Sequence, residues 1–140
     1  MGIVPVVNEN DTIATSEIRY GDNDRLASRV AQITSADCLI LLSNINGLYS
    51  ADPSTDEDVK LINKVSEIDK DIEKMIGQSI SDYGKGGMKT KIQAAKTAML
   101  SGCHLAITNG SIMRPVKSLF EGRPCTCLLY TSPSPRDMSA

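Results

Sequence analysis

Three lysines, Lys85, Lys89 and Lys91, crowd the start of a helical pattern, among and behind Gly84, Gly86 and Gly87. A helix N-terminus carries roughly half a positive charge, so cations there sit at the wrong end of the dipole. Either they form a solvated, screened surface cluster, or an anion is held among them. Glycines let the backbone approach such an anion, free N–H groups point at it, and lysines neutralise it. Phosphate is the obvious candidate. The segment GKGGMKTK is not a Walker A loop, because Met88 precedes Lys89-Thr90 and no apolar strand leads directly into it.

A second polar concentration runs from Asn8 to Asp24, NENDTIATSEIRYGDND. Amide side chains both donate and accept, whereas carboxylates only accept. Asn8, Asn10, Asp11 and Asn23 therefore suit both the α-ammonium and the α-carboxylate of an amino acid. Asp24 falls in the first turn of a helix, where an acid stabilises the dipole by ~0.3–1 kcal/mol. The alternative role is to order lysine ammoniums around a transferring phosphoryl group. Tyr49 and Asp52-Pro53 could border a nucleotide base or form a plain turn.

The elements that must position these groups follow from periodicity. Ile3 to Val7 is an apolar run that reads as a buried strand, weakened by Pro5, which cannot donate to a ladder. A helix capped by Asp22 or Asn23 reaches about Ala36, with Leu26, Val30 and Ile33 at i, i+4, i+7. Cys38 to Leu42 is uninterruptedly apolar, as in a parallel strand covered on both faces. Turn residues fill positions 44–58. Leu61-Ile62 and Val65 suit a short strand, and Ile68, Ile72, Met75 and Ile76 an amphipathic helix stopped by Gly77. From about Met88 to Leu100 the inner stripe is Met88, Ile92, Ala95 and Met99, and the outer stripe Lys89, Gln93 and Lys96. Leu105 to Ile107 is the following strand. Strand, helix, strand, helix, strand is the order of a parallel sheet with helical crossovers, whose ligands bind beyond the carboxyl ends of the strands.

Composition narrows the classes. At 140 residues and 41% hydrophobic content, one domain with a real core is the default. A net charge of −2 supplies no basic field for nucleic acid, and no apolar run approaches the ~20 residues of a membrane span. Cys38, Cys103, Cys125 and Cys127 show no C-x-x-C spacing, and His104 is the single histidine, so no metal site is expected. Cys38 and Cys103 read as small buried hydrophobes. A reduced, cytoplasmic protein is expected.

With these residues in place, VPVVNENDTIATSEIRYGDNDRLASRVA, LLSNINGLYSADP and GKGGMKTKIQAA together resemble the glutamate 5-kinase branch of the amino acid kinase family, from about Val4 to Thr126. The resemblance implies an α/β fold, a three-layer α/β/α sandwich with a mainly parallel sheet. It implies transfer of the γ-phosphoryl of ATP to the side-chain carboxylate of glutamate, giving γ-glutamyl phosphate for proline synthesis. Asn8, Asp11 and Asn23 would contact glutamate. Asp24 would organise the catalytic lysines, and Lys91 would stabilise the transferring phosphoryl group. Ser43, Asn44, Lys85, Gly86, Gly87, Met88, Lys89, Thr90 and Lys91 would hold the nucleotide, with Mg²⁺ on its phosphates. L-glutamate and ATP are the implied partners, with no nucleic acid and no membrane, and the full-length form is expected to be a homo-oligomer.

Three departures accompany the resemblance. Asn44 stands where the family usually has Asp, and Lys85 replaces a small hydroxyl residue. The family's opening strand, glycine-rich loop, further phosphate-binding lysine and glutamate-binding serine do not precede Met1, and an RNA-binding-like C-terminal domain carried by many members is lacking. Residues 1–127 are thus expected to be a partial kinase domain, truncated at its N-terminus, and residues 128–140 a disordered, non-native tail. LLYTSPSPRD resembles translated sequencing adapter. The isolated chain is expected to be inactive. The alternatives are an ATP- or phosphate-binding module without activity, an incompletely folded fragment with exposed sheet edges, or an amino acid kinase acting on acetylglutamate or aspartate, against which the NEND motif argues.

Overall fold

The apolar run beginning at Cys38 forms β1, Cys38–Ser43, in a computed structural model that describes residues 2–8, 22–51, 57–77 and 87–130. Ahead of it lies α1, Asp22–Thr34, and behind it come β2, Lys64–Val65, and α2, Lys70–Gly77. Asp69 caps α2, its Oδ1 accepting from the Ile72 N–H at 3.0 Å. The long helix α3 spans Gly87–Leu100. It ends where Gly102 takes φ +77°, the left-handed conformation that terminates helices. β3, His104–Asn109, follows, then α4, Pro115–Phe120, and β4, Cys125–Leu128.

The four strands form one sheet in the order β1-β3-β4-β2. β1 and β3 are parallel, as are β2 and β4, while β3 and β4 are antiparallel. This is an α/β fold with a mixed, mostly parallel sheet flanked by helices. The core joins Leu41 of β1, Leu105 and Ile107 of β3, Val65 and Leu128 to Met88, Ile92, Ala95 and Ala98 of α3. The expected inner stripe of α3 holds, and Lys89, Gln93 and Lys96 are exposed.

Several expectations are corrected. Ile3 to Val7 forms no strand and is exposed, Val6 at 93%; apolarity demands burial but does not provide a ladder partner, and Pro5 cannot donate to one. β1 is not covered on both faces, since Leu42 is half exposed and Cys38 is exposed rather than buried. The core draws on the alternate residues Leu39 and Leu41. Cys103 is buried as expected, and burial, with Cys38 and Asp37 adding to it, pushes its thiol up to about 11.

The apolar stripe of α1 is also turned away from the core. Ile33 is 82% and Leu26 41% exposed, while Asp24, Ser28 and Ala31 are buried. α1 packs on α3, where Thr90, Ala94 and Ala98 are buried in turn. Small side chains on both helices permit close approach there.

The C-terminal boundary also moves. Leu128, expected to begin a disordered tail, is fully buried and pairs with Leu105 and Val65. Leu129 donates its N–H to Val65 O, and Tyr130 to His104 Nδ1. Truncating a buried leucine costs ~2–5 kcal/mol, so Leu128→Ala is expected to lower stability by about 3 kcal/mol in urea unfolding followed by circular dichroism. A change under about 0.5 kcal/mol, typical of surface sites, would restore the boundary at 127. Residues 131–140 lie outside the described residues.

Candidate functional site at the N-termini of two helices

The site follows from the crossover topology. α1 leads into β1 and α3 leads into β3, and these strands are parallel neighbours with Ser43 paired to Asn109. The two helices consequently run side by side, with both N-termini at the carboxyl ends of β1 and β3. Two positive dipole ends then meet where open α/β sheets bind their ligands.

Asp24, in the first turn of α1, and Lys91, near the start of α3, meet there. Lys91 Nζ lies 2.9 Å from Asp24 Oδ2, with the two side chains only 13% and 12% exposed. The Thr90 hydroxyl lies 3.4 Å from the same carboxylate oxygen. Asp24 is well placed for the α1 dipole and compensates a lysine that sits badly for the α3 dipole. The ammonium is held in place yet keeps donors for a further anion.

Asn23 brings in the amide loop, since its Nδ2 donates to Asn8 Oδ1 at 3.1 Å. Asn8, Asn23, Asp24, Thr90 and Lys91 therefore form one linked group. Ser43 and Asn44 lie just beyond, at the end of β1, where the Ser43 hydroxyl donates to Asn44 Oδ1 at 3.3 Å. Lys89 is exposed on α3. Met88 is buried in the core, so only its backbone is available to a ligand. Gly87 is the first residue of α3. Asp11, Lys85 and Gly86 lie outside the described residues, as do Asp52 and Pro53. Tyr49 is half-buried and bridged to Leu61.

One group at this end was left unassigned by sequence reasoning. Asn109 closes β3 beside Ser43, accepts from the Ser111 N–H at 2.8 Å, and precedes Gly110, which donates its N–H to Ser43 O at 2.7 Å. Its signal was available: a polar Thr108-Asn109 closes the apolar run of β3, much as Ser43 closes that of β1. Among the described residues, no group of three or more His, Cys, Asp or Glu side chains could hold a metal ion, and no helix is long and apolar enough to cross a membrane.

The profile of the amino acid kinase family matches residues 1–109. Glutamate 5-kinase of Pelagibacter ubique is 60% identical over 129 residues, 92% of this chain and 35% of that protein. Glutamate 5-kinase of Dinoroseobacter shibae is 56% identical over 90% of this chain and 34% of its own length. The chain thus spans about a third of the length of these relatives. Among solved structures, carbamate kinase from Giardia lamblia bound to AMP-PNP superposes with TM-score 0.56 at 22% identity, covering 77% of this chain and 32% of that one. UMP kinase from Ureaplasma parvum superposes with TM-score 0.55 at 15% identity, over 76% and 41%. These likenesses establish a shared fold.

Proposed function

Because this chain belongs to the amino acid kinase family, we propose that it supplies the substrate loop and nucleotide-binding half of an enzyme that phosphorylates the side-chain carboxylate of glutamate from ATP. A carboxylate oxygen of glutamate forms the new bond to the γ-phosphorus, and the bond from that phosphorus to the ADP oxygen breaks, leaving γ-glutamyl phosphate and ADP. The first intermediate of proline synthesis is made this way, in the cytoplasm. Phosphoryl transfer needs positioning and charge neutralisation rather than covalent help from the protein.

The observation that carries this reading is the Lys91–Asp24 pair, 2.9 Å apart at two adjoining helix N-termini. Lys91 would neutralise charge growing on the transferring phosphoryl group, with Asp24 fixing the ammonium's position. Asn8, Asn23 and Asp11 would hold the amino acid. Ser43, Asn44, Lys89 and the glycine segment through Gly86 and Gly87 would hold the nucleotide, with Lys85 beside its phosphates. Mg²⁺, carried on those phosphates, would supply further charge neutralisation. The identity to glutamate 5-kinases over some nine-tenths of the chain supports glutamate over acetylglutamate or aspartate as acceptor.

Titrating MgATP against the purified chain tests the nucleotide half, and saturable binding is expected. Glutamate-dependent ADP release by this chain alone is expected to be absent, because it spans a third of the length of its relatives. A second reading, a binding-incompetent fragment that self-associates, is favoured by one observation. β1 lies at the sheet edge with Leu42 half exposed, and Ile3, Val4 and Val6 are exposed as well. Lack of saturable MgATP binding, with concentration-dependent association, would establish that reading instead.

A further inference from the structure

Resting on the phosphoryl-transfer reading above, we propose that Thr90 is a positioning residue whose hydroxyl aims the Asp24 carboxylate at Lys91. The seam between α1 and α3 is lined by small side chains, Ser28 and Ala31 on one helix and Ala94 and Ala98 on the other. Alanine is the better helix former at this position. A hydroxyl at this buried point therefore calls for a reason. The Ser28 hydroxyl donates within its own helix to Arg25 O, whereas Thr90 Oγ1 crosses the seam to Asp24 Oδ2 at 3.4 Å.

That oxygen is the one Lys91 Nζ meets at 2.9 Å. A lysine ammonium on a flexible four-carbon stem constrains a carboxylate weakly. The threonine side chain is stiff at χ1, and neighbouring residues on a helix project about 100° apart, from 3.6 residues per turn. Two donors from successive α3 residues thus approach Oδ2 from different directions and fix the carboxylate's rotation. With Asp24 fixed, Lys91 is fixed as well.

The test reads the pair itself, in this 140-residue chain, through the lysine ammonium signals of ¹⁵N NMR spectra, with Lys91→Gln assigning the Lys91 resonance. The wild-type chain and Thr90→Ser are expected to give a distinct Lys91 ammonium signal. In Thr90→Val and Thr90→Ala that signal is expected to broaden beyond detection. Circular dichroism shows whether each hydroxyl-free variant is folded, and either one that folds decides the question. An unchanged signal in a folded Thr90→Val or Thr90→Ala overturns the inference, as does loss of the signal in Thr90→Ser, since packing rather than the hydroxyl would then be at work. A parallel MgATP titration of the wild-type chain keeps the two levels apart. Absence of saturable binding removes the phosphoryl-transfer reading, whereas the ammonium signals report on the hydrogen bond itself.

Discussion

Replacing Lys91 with alanine, in the chain extended to the length of its relatives, is expected to lower kcat about 10³-fold, the scale of removing a preorganised charge-stabilising donor from a transfer site. The ammonium stands at the meeting point of two helix N-termini, paired to Asp24 with little exposure. Mobile ions from solvent do not replace a fixed charge at such a site. The fold should survive. Stripping a partner from a fully buried charge costs ~3–5 kcal/mol. Asp24 keeps the Thr90 hydroxyl and the positive end of α1, however, so a loss of about 1–2 kcal/mol is expected. Steady-state kinetics alongside urea unfolding separates the two effects. Unchanged turnover would reduce Lys91 to a structural ion pair.

Gly47→Ala is expected to destabilise this chain by about 2–3 kcal/mol, at the upper end of the overpacking range. A Cβ built there would lie 2.3 Å from Thr126 Oγ1 and 2.9 Å from the Thr126 backbone nitrogen. The hydroxyl cannot swing aside freely, because it accepts from the Leu48 N–H at 2.8 Å and donates to Ile62 O at 2.5 Å. Thr126 thereby ties the loop leaving β1 to the segment entering β2, across the middle of β4. Thr126→Val should cost ~1–3 kcal/mol, since it leaves the buried Leu48 N–H and the part-buried Ile62 carbonyl without this partner. Urea unfolding of the two variants checks this, and a Gly47→Ala loss below about 0.5 kcal/mol, the size of an ordinary surface change, would show that the loop yields.

How far the sequence could be read depended on what its patterns encode. Period and run length identify an element, which is why β1, α2 and α3 appeared where expected and the inner stripe of α3 was correct. They do not identify its partner. Leu26, Val30 and Ile33 looked like the buried face of α1, yet α3 meets the smaller Asp24, Ser28 and Ala31, because closeness between helices favours small side chains over large apolar ones. Ile3 to Val7 had a strand's composition and found no ladder. The sheet is mostly parallel as expected, but β4, four residues long and antiparallel to β3, was not among the elements read from the sequence.

The sequence by itself determined the chemistry available to this protein. Lysines at a helix start, and amides and acids massed before another helix, offer charge and hydrogen-bonding capacity suited to anionic and zwitterionic partners wherever they fall, because those properties belong to the side chain. Tertiary structure alone decided that the two sets meet. A parallel β1–β3 pair sets α1 and α3 side by side with their N-termini together. Through-space contact across 67 positions of chain is a property of that packing, which no local periodicity encodes.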